Sequence, residues 1–375
     1  MIQFTEIGSF FFYTCMVVCS LLCMWLAEHG DKYQKVFLVL SVLFVAVPSA
    51  FRYRTGIDYN GYIEVYNKYV QLGSIVATRM WYTVEPSFLL LCALSYKLTG
   101  TPIVAFGFYS IATVGFMISG IWYFRKYAKP TVSLFMYLGV YYFHSYNIFR
   151  QMLAVSMIFW GIRYIIERKP VRYFLVVGIA VLFHSTAILA VVLYWYGTKK
   201  STTGKLLRSF NYIGPILITV LLPIMINLLL KLPVLEKYAK AYGEVKTLRI
   251  GIGYVIDIAG AFLFFYALKR RHLYSGNEEK NPTFDLDFFW KQIIVLGVIL
   301  ELLQYNTGSY VGRISLYFTV PTLIPYASLY CKSHRKKLTF YIEELYPICV
   351  PIMLFVKSIM TNAQGQIPYV ARWLF

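Results

Sequence analysis

YFLVVGIAVLFHSTAILAVVLYWY, residues 173–196, is the stretch on which the topology of the chain turns. A helix rises 1.5 Å per residue and needs about 20 apolar residues to cross the hydrocarbon of a bilayer, so the run is long enough for one crossing. His184, Ser185 and Thr186 nevertheless stand at its midpoint, where an unbroken helix in lipid has no use for three polar side chains. The other reading is a broken helix that goes in and comes back, a form tolerated where irregular backbone lines a cavity.

The flanking sequence chooses between them. Candidate spans fall at residues 7–27, 35–51, 101–124, 131–147, 151–167, 211–230, 251–268, 286–304, 314–330 and 339–360, and residues 86–98 form a second ambiguous run. The basic joints are Lys32 with Lys35 and residues 125–129, 168–172, 199–208, 269–271 and 332–337. Cytoplasmic joints carry the excess of Lys and Arg. With the N-terminus outside, all six lie inside only if 86–98 does not cross fully and 172–196 returns to its own side. The first condition suits a run that starts at Glu85 and Pro86, ends at Thr99-Gly100-Thr101-Pro102 and is too short for an ordinary span, hence an in-plane or re-entrant helix on the outer side. Reading both runs as simple spans moves two basic joints outside and Arg150 inside, which breaks the charge rule twice, so the folded-back reading is preferred.

Composition fixes the class. The 375 residues are 59% hydrophobic and 14% charged, with apolar runs separated by short polar joints. The expectation is an all-α, polytopic helical membrane protein of about 10 to 12 transmembrane segments, with at least one broken or re-entrant helix and an amphipathic helix on the outer face. It forms a single integral membrane domain over residues 1–375, without a linker or clear internal repeat. Short alternating segments, the mark of an outer-membrane barrel, are absent. The 34 Tyr and 29 Phe are enough for interfacial belts, so most aromatics need no functional explanation. The net charge of +19 lies mainly in short loops, so topology and anionic membrane lipids account for it and nucleic acid is not expected. The six cysteines make no disulfide framework; Cys15, Cys19 and Cys23 share one face of the first helix, as packing residues. That first run lacks a basic start and a small-residue cleavage site, so it reads as an uncleaved span.

Polar residues that could carry chemistry gather on the outer side. FRYRTGIDYNGYIEVYNKYV, residues 51–70, places Arg52 and Arg54 two apart, on one side of an extended chain, as an anion clamp. Gly56 allows a turn, and Asp58 stands at the N-cap of a helix with Tyr59, Tyr62, Ile63, Tyr66 and Tyr69 at helical spacing. Arg150 and Arg313 join Arg52 and Arg54 at outer membrane edges. An Arg at the bilayer centre costs at least about 2.5 to 3.5 kcal/mol, so these side chains should face a polar cavity or the interface, and their forks suit bidentate phosphate contacts. The plain alternatives are snorkelling, or pairing with Asp257 or Glu301. Asp58 is an N-cap, or a general base or acceptor of a sugar hydroxyl. His184 is a satisfied polar residue at a helix break, or a proton-transfer group reaching a cavity. Glu64 and Glu85 are weaker candidates, and the tyrosines could stack on sugar rings or form an interfacial belt.

Walker A, GxSxG, HExxH and Cys/His metal spacings are all missing, so no metal or cofactor is expected. A flippase for a lipid-linked unit would share the basic, polytopic composition but calls for inverted repeats. An acyltransferase would have little use for four outward arginines. A purely structural subunit gives no reason for Arg, Asp and His to collect on the side normally poor in positive charge.

The ordered segments FRYRTGIDYNGY, EPSF, NIFRQMLAVSM with its basic joint, RYFLVVGIAVLFHSTAILA and GRISLYF resemble the EpsG family of Wzy-type bacterial polysaccharide polymerases, over roughly residues 35–320. The most specific parts are R-x-x-x-G-x-D-Y at residues 52–59, Arg150-Gln151 with Ala154, and Phe183-His184-Ser185, with Thr186 where the family pattern has Ala. This resemblance implies a metal-independent transferase of the GT-C type in the bacterial cytoplasmic membrane, multi-pass, with an outward active site. It joins oligosaccharide repeat units carried on undecaprenyl diphosphate, for capsular, exo- or O-polysaccharide. An O-antigen-ligase-like transferase is the related alternative, differing in its acceptor. Asp58, His184 and Arg150 are then the catalytic candidates, and Arg52, Arg54, Tyr59, Gln151 and Arg313 the substrate-binding ones. Proteins that regulate chain length or export the polymer are the partners such a pathway implies.

Overall fold

The computed structural model describes residues 1–197, 251–271, 284–307, 309–330 and 338–372. The expected span at 211–230, the outer segment at 231–250 and the basic joints at 199–208 and 332–337 lie outside the described residues. The described chain is helical apart from one two-stranded ladder, as an all-α polytopic membrane protein requires. It packs as two compact units: Met1–Tyr164, Lys169–Val191 and Pro347–Phe375 in the first, Ile165–Arg168 and Val192–Tyr346 in the second.

In the first unit, α1 (Glu6–His29) and α2 (Gln34–Ala50) pack side by side. Ser20 Oγ donates to Ser41 O at 2.9 Å and Ser41 Oγ to Ser20 O at 3.0 Å, small side chains that let two backbones approach closely. Helix α2 packs on α6 (Ile103–Tyr123), and α1 on α7 (Pro130–Val140). Three stretches among the described residues are long and apolar enough to cross a membrane: Glu6–His29, Ile103–Lys126 and Tyr341–Thr361. Between α2 and α6 lie α3 (Tyr59–Leu72), α4 (Ile75–Trp81) and α5 (Pro86–Thr99). Proline at the first position opens α5 and α7, where no amide donor is needed, and left-handed Gly73 and Gly100 close α3 and α5.

The centre of this unit is α9 (Phe149–Ile166), whose side chains are all buried over residues 151–159. A helix apolar on every side is a core helix. The expected span at 131–147 is interrupted: α7 stops at Val140 and a single turn, α8 (His144–Asn147), leads into α9. The expected span at 314–330 is divided as well, into Ser309–Thr319, a 3₁₀ turn Val320–Thr322 and Leu323–Ala327. Pro321 has no amide hydrogen with which to continue the helical ladder.

The opening stretch is broken where its polar residues stand. Helix α10 (Pro170–Phe183) ends at His184, which is extended (φ −156°, ψ 119°), and a 3₁₀ segment Ser185–Trp195 follows. Tyr173 Oη donates to Ala190 O at 2.6 Å across 17 residues. In one continuous helix those residues would stand about 25 Å apart. The chain therefore doubles back at His184, as the charge distribution of the joints demands.

One feature carries no periodic signal in the sequence. Strand β1 (Ile2–Gln3) pairs antiparallel with β2 (Val370–Ala371), and Arg52 bridges to Ala371. Two-residue strands are too short for an alternating pattern to show.

Candidate functional site

Arg150, Glu85 and His184 meet within the first unit. Each owes its place to a helix end: Glu85 is the residue before α5, Arg150 the second residue of α9, and His184 the residue that ends α10. Arg150 Nη1 pairs with Glu85 Oε2, and His184 Nδ1 lies 2.9 Å from Glu85 Oε1. The Ser185 amide donates to the same Oε1 at 3.3 Å, and Ser87 Oγ donates to Leu182 O at 2.5 Å, so the start of α5 is fastened to the end of α10. The Arg150 guanidinium rests on the rings of Tyr62 and Phe88, 5.6 and 5.7 Å from their centroids.

Electrostatics hold the Glu85 carboxylate in its charged form. Burial pushes the Glu85 carboxyl up, but the His184 contact and the Arg150 guanidinium outweigh it and hold the group below the usual glutamate range. The three side chains keep relative exposures of 14% for Glu85, 16% for Arg150 and 22% for His184, so each reaches solvent while sitting largely inside. Arg150 uses one nitrogen on Glu85, and its planar fork has further donors for an anion.

The Arg52 and Arg54 clamp does not form. The chain pairs with Ala371 at Arg52 but takes left-handed backbone at Arg54 (φ 49°), so the strand-like alternation is lost between the two arginines. Arg54 is exposed, with its guanidinium 5.4 Å from the Tyr53 ring. Arg52 is 1% exposed, donates to Ser49 O and Oγ, and lies 4.9, 5.2 and 5.5 Å from the rings of Phe106, Tyr146 and Phe149. Its Nε and Nη2 find no hydrogen-bond partner among the described residues, and burial lowers its pKa. In this arrangement Arg52 braces the interior of the first unit.

The tyrosine stripe also turns inward. Tyr59, Tyr62 and Tyr66 are buried; Tyr59 stacks on Phe106 at 5.5 Å, and Tyr62 lies 4.0 Å from the Phe149 ring. Burial pushes the Tyr59 phenol up to about 12. The Tyr62 ring supports Arg150. Asp58 stands at the N-cap of α3, half-buried, without a side-chain capping bond. Gln151 is buried on α9 beside Arg150. Arg313 is half-buried on the helix Ser309–Thr319 and belongs to the second unit.

The acid that the sequence ranked low is thus the one that organises the site. Arg150 takes Glu85 as its acidic partner, where the sequence offered Asp257 or Glu301. The available signal was positional: Glu85 precedes the proline that opens α5, a helix of 14 residues.

Fold and site together define a polytopic helical membrane protein in which one carboxylate gathers a guanidinium and an imidazole at a helix break. Within that class the chain belongs to the EpsG family, whose model matches residues 35–371. The match runs through the carboxyl-terminal strand, beyond the segments that carried the resemblance. In general terms the family is one of polysaccharide-polymerase-like proteins. Comparison with curated proteins and with solved structures gave no match.

Proposed function

We propose that this protein polymerises oligosaccharide repeat units carried on undecaprenyl diphosphate, at the outer face of the bacterial cytoplasmic membrane, for a capsular, secreted or O-polysaccharide. The observation that carries the reading is the contact of Arg150 and His184 through Glu85, because glycosyl transfer from a lipid diphosphate needs a cation at the leaving group and a base at the acceptor. Arg150 binds the diphosphate and stabilises the charge that grows on it as the anomeric carbon–oxygen bond breaks. The acceptor hydroxyl oxygen forms the new glycosidic bond while its proton passes to His184 Nε2. Glu85 holds the imidazole and stabilises the imidazolium so formed. The lipid diphosphate leaves with the bonding pair, so the donor bond itself supplies the driving force. Asp58 accepts a hydroxyl of the incoming sugar and orients it. Arg54 and Gln151 are further candidates for the diphosphate and its first sugar, while the burial of Arg52 and Tyr59 favours supporting roles.

A gel of lipid-linked saccharides tests the reading. Cells lacking the gene, restored with wild type, Arg150→Ala or His184→Ala, are compared. Single repeat units accumulating on lipid and exposed on the outer face in the deletion and both variants are expected. Units trapped on the inner face would instead mean a flippase, and normal polymer from Arg150→Ala would remove that residue from the chemistry.

A further inference from the structure

Asn147 stands three positions before Arg150, and its side chain joins three separate pieces of the first unit. Its Oδ1 accepts from the backbone N–H of Ile57 at 2.6 Å and of Asp58 at 3.4 Å. Its Nδ2 donates to Gln364 Oε1 on the carboxyl-terminal segment. That segment grips the same loop: Gly365 O accepts from Gly56 N–H at 2.8 Å, and Gln364 O accepts from Ile57 N–H at 3.3 Å. Gln364 N–H in turn donates to Gln366 Oε1 at 2.9 Å, and Gln366 is fully buried with its amide on Ser358 O at 2.7 Å.

The loop has little room to sit elsewhere. Gly56 has φ +106°, and a Cβ there would run into the Tyr146 carbonyl, the residue before Asn147. Asp58 O accepts from Tyr62 N–H at 3.3 Å, so the loop held by Asn147 is also the start of α3, whose Tyr62 ring lies under Arg150. Asn147 is 7% exposed, and a buried amide with both ends bonded has one stable arrangement.

We infer that Asn147 is a positioning residue, which together with Gln364 sets Asp58 relative to Arg150 and so aligns the acceptor with the leaving diphosphate. This inference rests on the polymerase reading above. A side chain that acts through another shows itself by non-additivity: once Asp58 is disabled, losing Asn147 should remove little more.

The test uses the full chain purified in detergent with a lipid-diphosphate-linked saccharide. Wild type, Asn147→Ala, Asp58→Asn and the double variant are compared for kcat, KM for the lipid substrate, and thermal stability. Asn147→Ala should lower kcat by about tenfold or more with KM changed less than about twofold, and the double variant should match Asp58→Asn. Multiplying effects, or a loss confined to stability, would overturn the inference. Should Asn147→Ala not accumulate, Gln364→Glu and Asn147→Asp serve, since each alone leaves one donor and one acceptor facing each other. Combined they set two carboxylates together, so the singles should work and the pair should fail in kcat; equal activity of all three would also overturn it. Wild type that forms no polymer under these conditions would count against the polymerase reading itself.

Discussion

Glu85 Oε1 lies 2.9 Å from His184 Nδ1, a contact that joins the first residue before one helix to the residue that ends another. The same carboxylate takes Arg150 on its other oxygen. One acid therefore fixes both of the groups that the proposed chemistry needs, and its removal should be felt at both.

Glu85→Gln keeps the shape of the side chain and removes its charge. Leaving a largely buried guanidinium without its acid costs about 3 kcal/mol, and the misplaced Arg150 and His184 should lower polymer formation about a hundredfold. Thermal unfolding in detergent alongside a polymer gel measures both. Wild-type polymer from this variant would take Glu85 out of the site.

The pH dependence follows from the direction of the Glu85 shift. Its folded pKa is lowered by His184 and Arg150 against the upward push of burial, so its stabilising contribution is complete above the ordinary glutamate pKa of about 4.3 and is lost as pH falls through the lowered value. The stability gap between wild type and Glu85→Gln should thus not close above about pH 4.3, and should close only below it. A gap that closed between about pH 7 and pH 5 would contradict the assigned charge state.

Tyr173→Phe tests the doubled-back segment. It removes the hydroxyl that donates to Ala190 O at 2.6 Å in a fully buried position. A loss of about 1 kcal/mol is expected, seen as a lower melting temperature with polymer still made. No change in melting would mean that the hydrogen bond does not hold the two arms together.

Arg52 and Arg54 should part company on substitution. Arg52→Ala empties a fully buried site among Phe106, Tyr146 and Phe149, and should lower the amount of folded protein by about 2 to 5 kcal/mol of stability. Arg54→Ala, at an exposed position, should change stability by no more than about 0.5 kcal/mol while reducing polymer. Equal abundance of the two variants in membranes would reject the division of roles.

Much of this organisation was readable from residue order because the bilayer restricts what apolar runs can do. Helix Glu6–His29 lies where residues 7–27 predicted a span, and the turn at His184 follows from counting which basic joints face one side. What could not be read depends on partners distant in sequence. Nothing local marks Glu85 as the acid for Arg150, since its partners come from α9 and α10. The extended reading of residues 52–54 failed because Arg54 adopts a left-handed conformation that only the packed loop imposes. The inward turn of Tyr59 and Tyr62 likewise reflects the aromatic surfaces of α6 and α9, which helical spacing alone cannot distinguish from a membrane interface.

The ladder between Ile2–Gln3 and Val370–Ala371 bears on how the protein is handled. Two backbone segments that exchange hydrogen bonds share an aqueous compartment, whatever path the chain takes between them. Reporter enzymes fused at either end should therefore mature together or fail together. A bulky fusion at either end would also press on the bridge to Arg52. Affinity tags intended for purification are better inserted at a joint on the opposite face of the membrane.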